Sequence, residues 1–216
     1  MNYLKERREV LDAAREISAS RMVIGTWGNV SVKVADQALM LITPSGMNYK
    51  SMTIDDIILV DMLGNILDGL WQPSSESPLH AEIYQNRPDA AAIVHVHSTY
   101  ATVFAAARQN IPVILEETAQ VIGHEILTAP YAASGTSELA DNAVKTLGTG
   151  KAVLLANHGL VGVGKNVSEA LTVCYITEET ARVVLLANSL GKVYSLSSEE
   201  VSILNRNFRH YGQQKN

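Results

Sequence analysis

The most constraining stretch of this chain is Ala-Ala-Ile-Val-His-Val-His at 91–97, bounded by Pro88 and Ser98. It is too short for a stable helix, and its small and β-branched residues suit a central strand buried on both faces. A strand projects residues i and i+2 from one face, so His95 and His97 are predicted side by side in an apolar interior. Two imidazoles buried together cost free energy unless each has a partner, and one metal ion satisfies both. A single histidine in such a place is more often a satisfied core residue; two at this spacing are harder to dismiss.

A third histidine, His158, stands near the end of the apolar run KAVLLANHG at 151–159, where a turn at Gly159 can direct its ring inward. Three imidazoles leave open positions on a divalent ion, which is the pattern of a catalytic rather than a structural site. Imidazole suits zinc, with manganese, cobalt, nickel and iron as alternatives. Glu76 lies in the polar stretch PSSESPLH at 73–80. Most loop glutamates are simply solvated, but a carboxylate beside such a centre can be a fourth ligand, a general base, or both in turn.

Three turns are rich in hydrogen-bond donors: Gly25, Thr26, Gly28 and Asn29; Thr43, Ser45 and Gly46; and Ser74 with Ser75. Glycines let backbone N–H groups approach an anion closely and hydroxyls add donors, although turns use these residues for conformational reasons as well. The other polar candidates carry less. Glu116 and Glu117 read as solvated loop acids, His80 as a packing or solvent-facing residue, Tyr211 as a surface tyrosine, and Trp27 and Trp71 as packing elements.

At 216 residues, 47% hydrophobic and 18% charged, the chain has enough apolar content for one globular domain over 1–216. A net charge of −5 without a basic run argues against a nucleic-acid surface, so a phosphorylated ligand would need local donors. No apolar run reaches membrane-spanning length, and the charged, helix-like N-terminus is unlike a signal or transit peptide. The one cysteine, Cys174, excludes an intramolecular disulfide, fits a reducing cytoplasmic compartment and reads as a buried small hydrophobe in LTVCYI.

Periodicity predicts a helix over 3–22, strands in NVSVKV and ALMLI, and a strand pair around Leu63-Gly64-Asn65. Helices follow at LHAEIYQN, from Ser98 or Thr99, over 136–147 with Thr136 or Ser137 as cap, from Ser168 to Gly191, and over the final SSEEVSILNRNFRHYG. Strands alternating with helices in this way suggest an α/β sandwich.

Taken in order, GTWGNVSV, LITPSG, PSSESPLH, RPDAAAIVHVHS, APYAASGT and ANHGLV resemble the motifs of the class II, metal-dependent sugar-phosphate aldolases, a superfamily that includes the adducin head domains. The resemblance runs from about Val10 to Tyr211 and is closest to the fuculose-phosphate branch. It implies a three-layer α/β/α sandwich around a mixed, largely antiparallel sheet, assembled as a homotetramer with active sites between subunits. It also implies zinc on His95, His97 and His158, with Glu76 as a displaceable fourth ligand and acid/base. The phosphate pocket maps onto Thr26, Gly28, Asn29, Thr43, Ser45, Gly46, Ser74 and Ser75, and Tyr211 matches a tyrosine that reaches a neighbour's aldehyde site. The implied reaction is retro-aldol cleavage of a ketose 1-phosphate to dihydroxyacetone phosphate and a small aldehyde. Glu76 after the paired serines fits the aldolases, since the related 4-epimerases carry aspartate there. Glu116 departs from the tyrosine of the fuculose-phosphate enzymes, and Glu116 or Glu117 is similar to an acid/base residue of methylthioribulose-1-phosphate dehydratases. Glu117 is therefore a further catalytic candidate, with epimerase and dehydratase chemistry as alternatives. A non-catalytic adducin-like role has no need of all three histidines and Glu76.

Overall fold

In the computed structural model, which describes residues 2–208, the strands are β1 (Gly28–Lys33), β2 (Leu39–Ile42), β3 (Ile58–Asp61), β4 (Ile66–Asp68), β5 (Ala92–Val96), β6 (Leu127–Ala129), β7 (Ala152–Leu155) and β8 (Gly159–Gly164). They form one eight-stranded sheet in the order β4-β3-β2-β1-β5-β8-β7-β6. Every pairing is antiparallel except β6 with β7. The helices are α1 (Leu4–Ala19), α2 (Ser77–Asn86), α3 (Thr99–Ala107), α4 (Glu116–Val121), α5 (Ser137–Leu147), α6 (Val167–Asn188) and α7 (Ser198–Phe208).

Strand alternation creates two cores. Val30, Val32, Val94 and Val96 point to one face, where Val10 and Leu11 of α1, Ala101 of α3 and Cys174 of α6 cover them. Met40, Ile42, Ile93 and Val161 point to the other, against Leu79 and Ile83 of α2 and Leu139 and Ala143 of α5. The result is the expected α/β/α sandwich with a mixed, mostly antiparallel sheet. β5 lies between β1 and β8 and is buried along its whole length, so whatever its odd-numbered face carries is held by backbone paired on both edges.

Several elements differ from the sequence expectation. The return strand β8 (GLVGVG) is interrupted by glycines, which obscure its pattern. Those glycines are there because α6 lies directly on the strand: a Cβ at Gly162 would sit 2.5 Å from the Cys174 Sγ, and one at Gly164 would sit 2.5 Å from the Ala170 nitrogen. Glu116 and Glu117 open the six-residue helix α4 rather than occupying a loop; one and a half turns are too few to show a period. The three residues of β6 are defined by their parallel pairing with β7. Helix α6 ends at Asn188, where Ser189 caps it, before Gly191. Trp27 and Trp71 are not packing elements: they are 67% and 48% exposed, and the Trp71 indole donates to Asp56 Oδ1 at 2.7 Å.

Candidate metal centre

Because β5 pairs with β1 and β8, His95 stands opposite both Asn29 and Val161 in the middle of the sheet. Its ring is fully buried, and Nδ1 lies 3.0 Å from the Leu160 carbonyl oxygen. That carbonyl accepts a hydrogen bond from Nδ1–H, which leaves Nε2 as the nitrogen available to a cation once it carries no proton. His97 follows the strand, its backbone N–H bonded to the Met22 carbonyl at 3.1 Å. His158 comes from the turn between β7 and β8, after Asn157 in a left-handed conformation (φ 57°).

The three ring centroids are 4.8–4.9 Å apart, with interplanar angles of 71°, 76° and 88°. Their ligand nitrogens all lie within 4.8 Å of one another, and the Nε2 atoms of His95 and His97 are only 3.0 Å apart. Two lone pairs at that separation repel unless a proton or a cation sits between them. Gly159 makes the approach feasible, because a Cβ there would lie 2.5 Å from the Val96 carbonyl oxygen and 3.2 Å from His95 Cε1.

Glu76 completes the cluster from the N-cap position of α2, and it is buried rather than solvated, at 6% exposure. Its Oε2 lies 3.1 Å from His95 Nε2, and its Oε1 lies 3.4 Å from His158 Nε2. The Asn29 Nδ2 group donates to Oε2 at 2.9 Å, and the Ser134 hydroxyl donates to Oε1 at 3.0 Å. Three imidazole nitrogens and one carboxylate are a donor set that fits a divalent cation of the zinc type.

The electrostatics agree with that fit. Burial alone would raise the Glu76 pKa, but the charge and hydrogen bond of His95, with His158 and Asn29, outweigh it and hold the carboxyl well below the usual range. Burial pulls His95 down, and the Glu76 carboxylate more than reverses it, so the His95 pKa is raised. His97 falls to about 3 and His158 to about 4, through burial first and then repulsion from a charged His95. Loading a divalent cation near pH 6 should therefore release a proton from the His95–Glu76 pair and essentially none from His97 or His158. Affinity should rise with pH until His95 has lost its proton and then level off. Calorimetric titration in buffers of different ionisation enthalpy counts the protons, and zero release would show that the pair holds none.

Beside the cluster opens a polar cavity of about 340 Å³. Thr26, Gly28 and Asn29 line it on one side, Ser45 and Gly46 on another, and Ser74, Ser75 and Ser134 complete it around Glu76, His97 and His158. Seven of the eight expected phosphate residues thus line one cavity with His97 and His158. Thr43 does not: it is buried, with its hydroxyl accepting the Val30 N–H at 3.2 Å. Asn29 is turned toward Glu76, and its Oδ1 is buried with no partner among the described residues. Glu116 and Glu117 are exposed on α4 and line no part of this cavity. Tyr211 lies outside the described residues.

Sequence reasoning passed over three groups. Ser134 belongs to a run of small residues with no ligand or charge to mark it. Tyr49 is almost fully buried and donates to the Gly28 and Thr26 carbonyls, fixing the first donor turn from beneath. Burial, helped by the Glu76 charge, raises its pKa, so it remains a neutral donor. His80 neither merely packs nor meets solvent; its Nδ1 lies 2.6 Å from the Ser31 hydroxyl, which in turn lies 2.8 Å from the Tyr84 hydroxyl.

Comparison with known proteins gives this geometry a context. Residues 8–185 match the family model described as Class II Aldolase and Adducin N-terminal domain. A 5-deoxy-D-ribulose 1-phosphate aldolase of Bacillus thuringiensis serovar kurstaki is 35% identical, over 97% of this chain and 98% of its own. An L-fuculose phosphate aldolase of Escherichia coli strain K12 is 36% identical, over 98% of each chain. A solved structure of an L-fuculose 1-phosphate aldolase superposes with a TM-score of 0.92 at 36% identity, covering 95% of this chain and 96% of that one.

Proposed function

This chain belongs to the class II aldolase and adducin N-terminal domain family, and we propose that it cleaves a ketose 1-phosphate of the 5-deoxyribulose or fuculose type to dihydroxyacetone phosphate and a small aldehyde. The observation that carries this reading is the convergence of three imidazoles and one carboxylate beside a donor-lined cavity, with His97, His158 and Glu76 in its lining. Relatives that are aldolases along nearly their whole length favour it over epimerase or dehydratase chemistry.

In this reading His95, His97 and His158 hold the cation, with zinc preferred and manganese or cobalt as substitutes. When bound, it supplies fixed positive charge for the negative charge that develops on the substrate's C2 and C3 oxygens as the C3–C4 bond breaks. The hydroxyl and N–H donors of Thr26, Gly28, Ser45, Gly46, Ser74 and Ser75 grip the phosphate and orient the sugar. Asn29 lines the same cavity and also holds Glu76, while the Thr43 hydroxyl accepts the strand N–H of Val30. Glu76 returns a proton to C3 after cleavage and removes it in the reverse direction. Handling of the C4 hydroxyl proton falls to an acid of the 116–117 pair, Glu117 first, or to Tyr211 reaching a neighbouring subunit's substrate, which is where a homotetramer enters the reading. No helix among the described residues is long and apolar enough to cross a membrane, and a cytoplasmic location accords with the phosphorylated substrate.

The test is turnover of ribulose 1-phosphate, 5-deoxyribulose 1-phosphate and fuculose 1-phosphate, coupled to release of dihydroxyacetone phosphate. Release that is lost with chelator and restored by zinc or manganese supports the reading. No release from any of them by metal-loaded protein overturns it. Within it, Ser75→Ala should raise KM for phosphorylated substrates about tenfold, the value of one hydrogen bond to a charged group. An equal loss with unphosphorylated analogues would remove Ser75 from the phosphate pocket.

A further inference from the structure

The two oxygens of Glu76 are held by chemically different partners. Oε2 faces the Asn29 Nδ2 amide at 2.9 Å and the His95 ring at 3.1 Å. An amide N–H can only donate, and turning the amide over would set two oxygens against each other at that distance. An unprotonated carboxyl oxygen accepts that bond better than a protonated one, so the Asn29 contact favours Oε2 without the proton. Oε1 faces the Ser134 hydroxyl at 3.0 Å and the His158 ring at 3.4 Å, so each oxygen has one imidazole beside it and the difference lies in the other partner: a hydroxyl can donate to a carboxylate or accept from a carboxylic acid.

Ser134 sits in a turn closed by the Thr136 N–H bond to the Ala133 carbonyl at 3.3 Å. Gly135 has φ +78°, and a Cβ there would be 3.2 Å from the Ser75 carbonyl oxygen, so the segment rests directly on the Ser74–Glu76 turn. Thr136 then caps α5 by accepting the Leu139 N–H at 3.3 Å, while its own hydroxyl donates to the Ala133 carbonyl at 2.6 Å. The serine lines the cavity beside the histidines, where a substrate would lie.

From these contacts we propose that Ser134 is a positioning residue that makes Oε1 the proton-carrying oxygen of Glu76. The inference rests on the reading of Glu76 as the acid/base at C3. In the condensation direction the C–H bond of the hydroxymethyl carbon of dihydroxyacetone phosphate breaks. Its electron pair moves toward the adjacent carbonyl, and its proton goes to Oε1. The Ser134 hydroxyl then reverses from donor to acceptor, while Asn29 continues to donate to Oε2. Cleavage runs the same transfer backwards, from Oε1 to C3.

The experiment follows exchange of that hydroxymethyl hydrogen with solvent deuterium by NMR, without aldehyde, alongside kcat and KM for cleavage and metal content. Ser134→Ala should slow exchange and kcat about tenfold, the scale of one hydrogen bond to a charged group, with KM and metal content nearly unchanged. Ser134→Thr, which keeps the hydroxyl, should recover most of the rate. Exchange at the wild-type rate in Ser134→Ala overturns the inference, as does an equal fall in Ser134→Thr. Wild-type protein that exchanges no hydrogen removes the Glu76 reading as well, whereas normal exchange in wild type, lost in Glu76→Gln but not in Ser134→Ala, removes this inference alone.

Discussion

Replacing His95 by Ala is expected to strip the protein of its cation and of cleavage activity together. His95 is the most enclosed of the three rings and, among the described residues, the only one whose far nitrogen is fixed by a strand carbonyl, that of Leu160. Its loss removes one of three nitrogen ligands and also the group that compensates the Glu76 charge. If the cation contributes about 5 kcal/mol to the barrier, turnover falls between about 10³- and 10⁴-fold. The fold should survive, because Asn29 and Ser134 still hydrogen-bond both Glu76 oxygens. Metal content by mass spectrometry and kcat on the same sample provide the check, with folding followed by circular dichroism. A folded His95→Ala protein with full metal content and full turnover would sink the assignment.

This site was partly legible in the chain because its metal-binding half depends on local rules. His95 and His97 are two apart in a strand, so their shared face follows from backbone geometry alone. His158 was marked by the glycine after it, although Gly159 begins the return strand β8 instead of closing the previous one. The donor turns were legible as turns; that seven of their eight candidates line one cavity depends on sheet order, which no local pattern specifies. Thr43 shows the limit, since hydroxyls read alike whether they face a cavity or, as here, accept a strand N–H. Ser134 and Tyr49 were missed for a related reason: both act through partners 58 and 21 residues away, and their own neighbours carry no ligand chemistry. The fold followed the same division. Long amphipathic helices and alternating strands declared themselves, whereas α4, β6 and β8 are defined by what packs on them or pairs with them.

Glu76→Gln should separate binding from chemistry. The amide has nearly the same shape, so its oxygen can accept from Asn29 and its nitrogen can meet the Ser134 oxygen, with the pocket and the N-cap backbone undisturbed. Three histidines remain to keep the cation, and no donor in the phosphate wall is altered. What the variant cannot do is exchange a proton with C3. The expected result is a kcat lower by about 10² to 10⁴, the usual worth of a positioned acid/base, with KM for the phosphorylated substrate changed little. A second consequence follows from charge. The depressed Glu76 pKa stabilises the metal-free fold above the carboxylate's unfolded pKa, and that contribution disappears as pH falls through the lower, folded value. The metal-free Gln variant should therefore lose stability relative to wild type near neutral pH and approach it in acid. Full turnover by metal-loaded Glu76→Gln would take the carboxylate out of the chemistry and leave it a structural partner of His95.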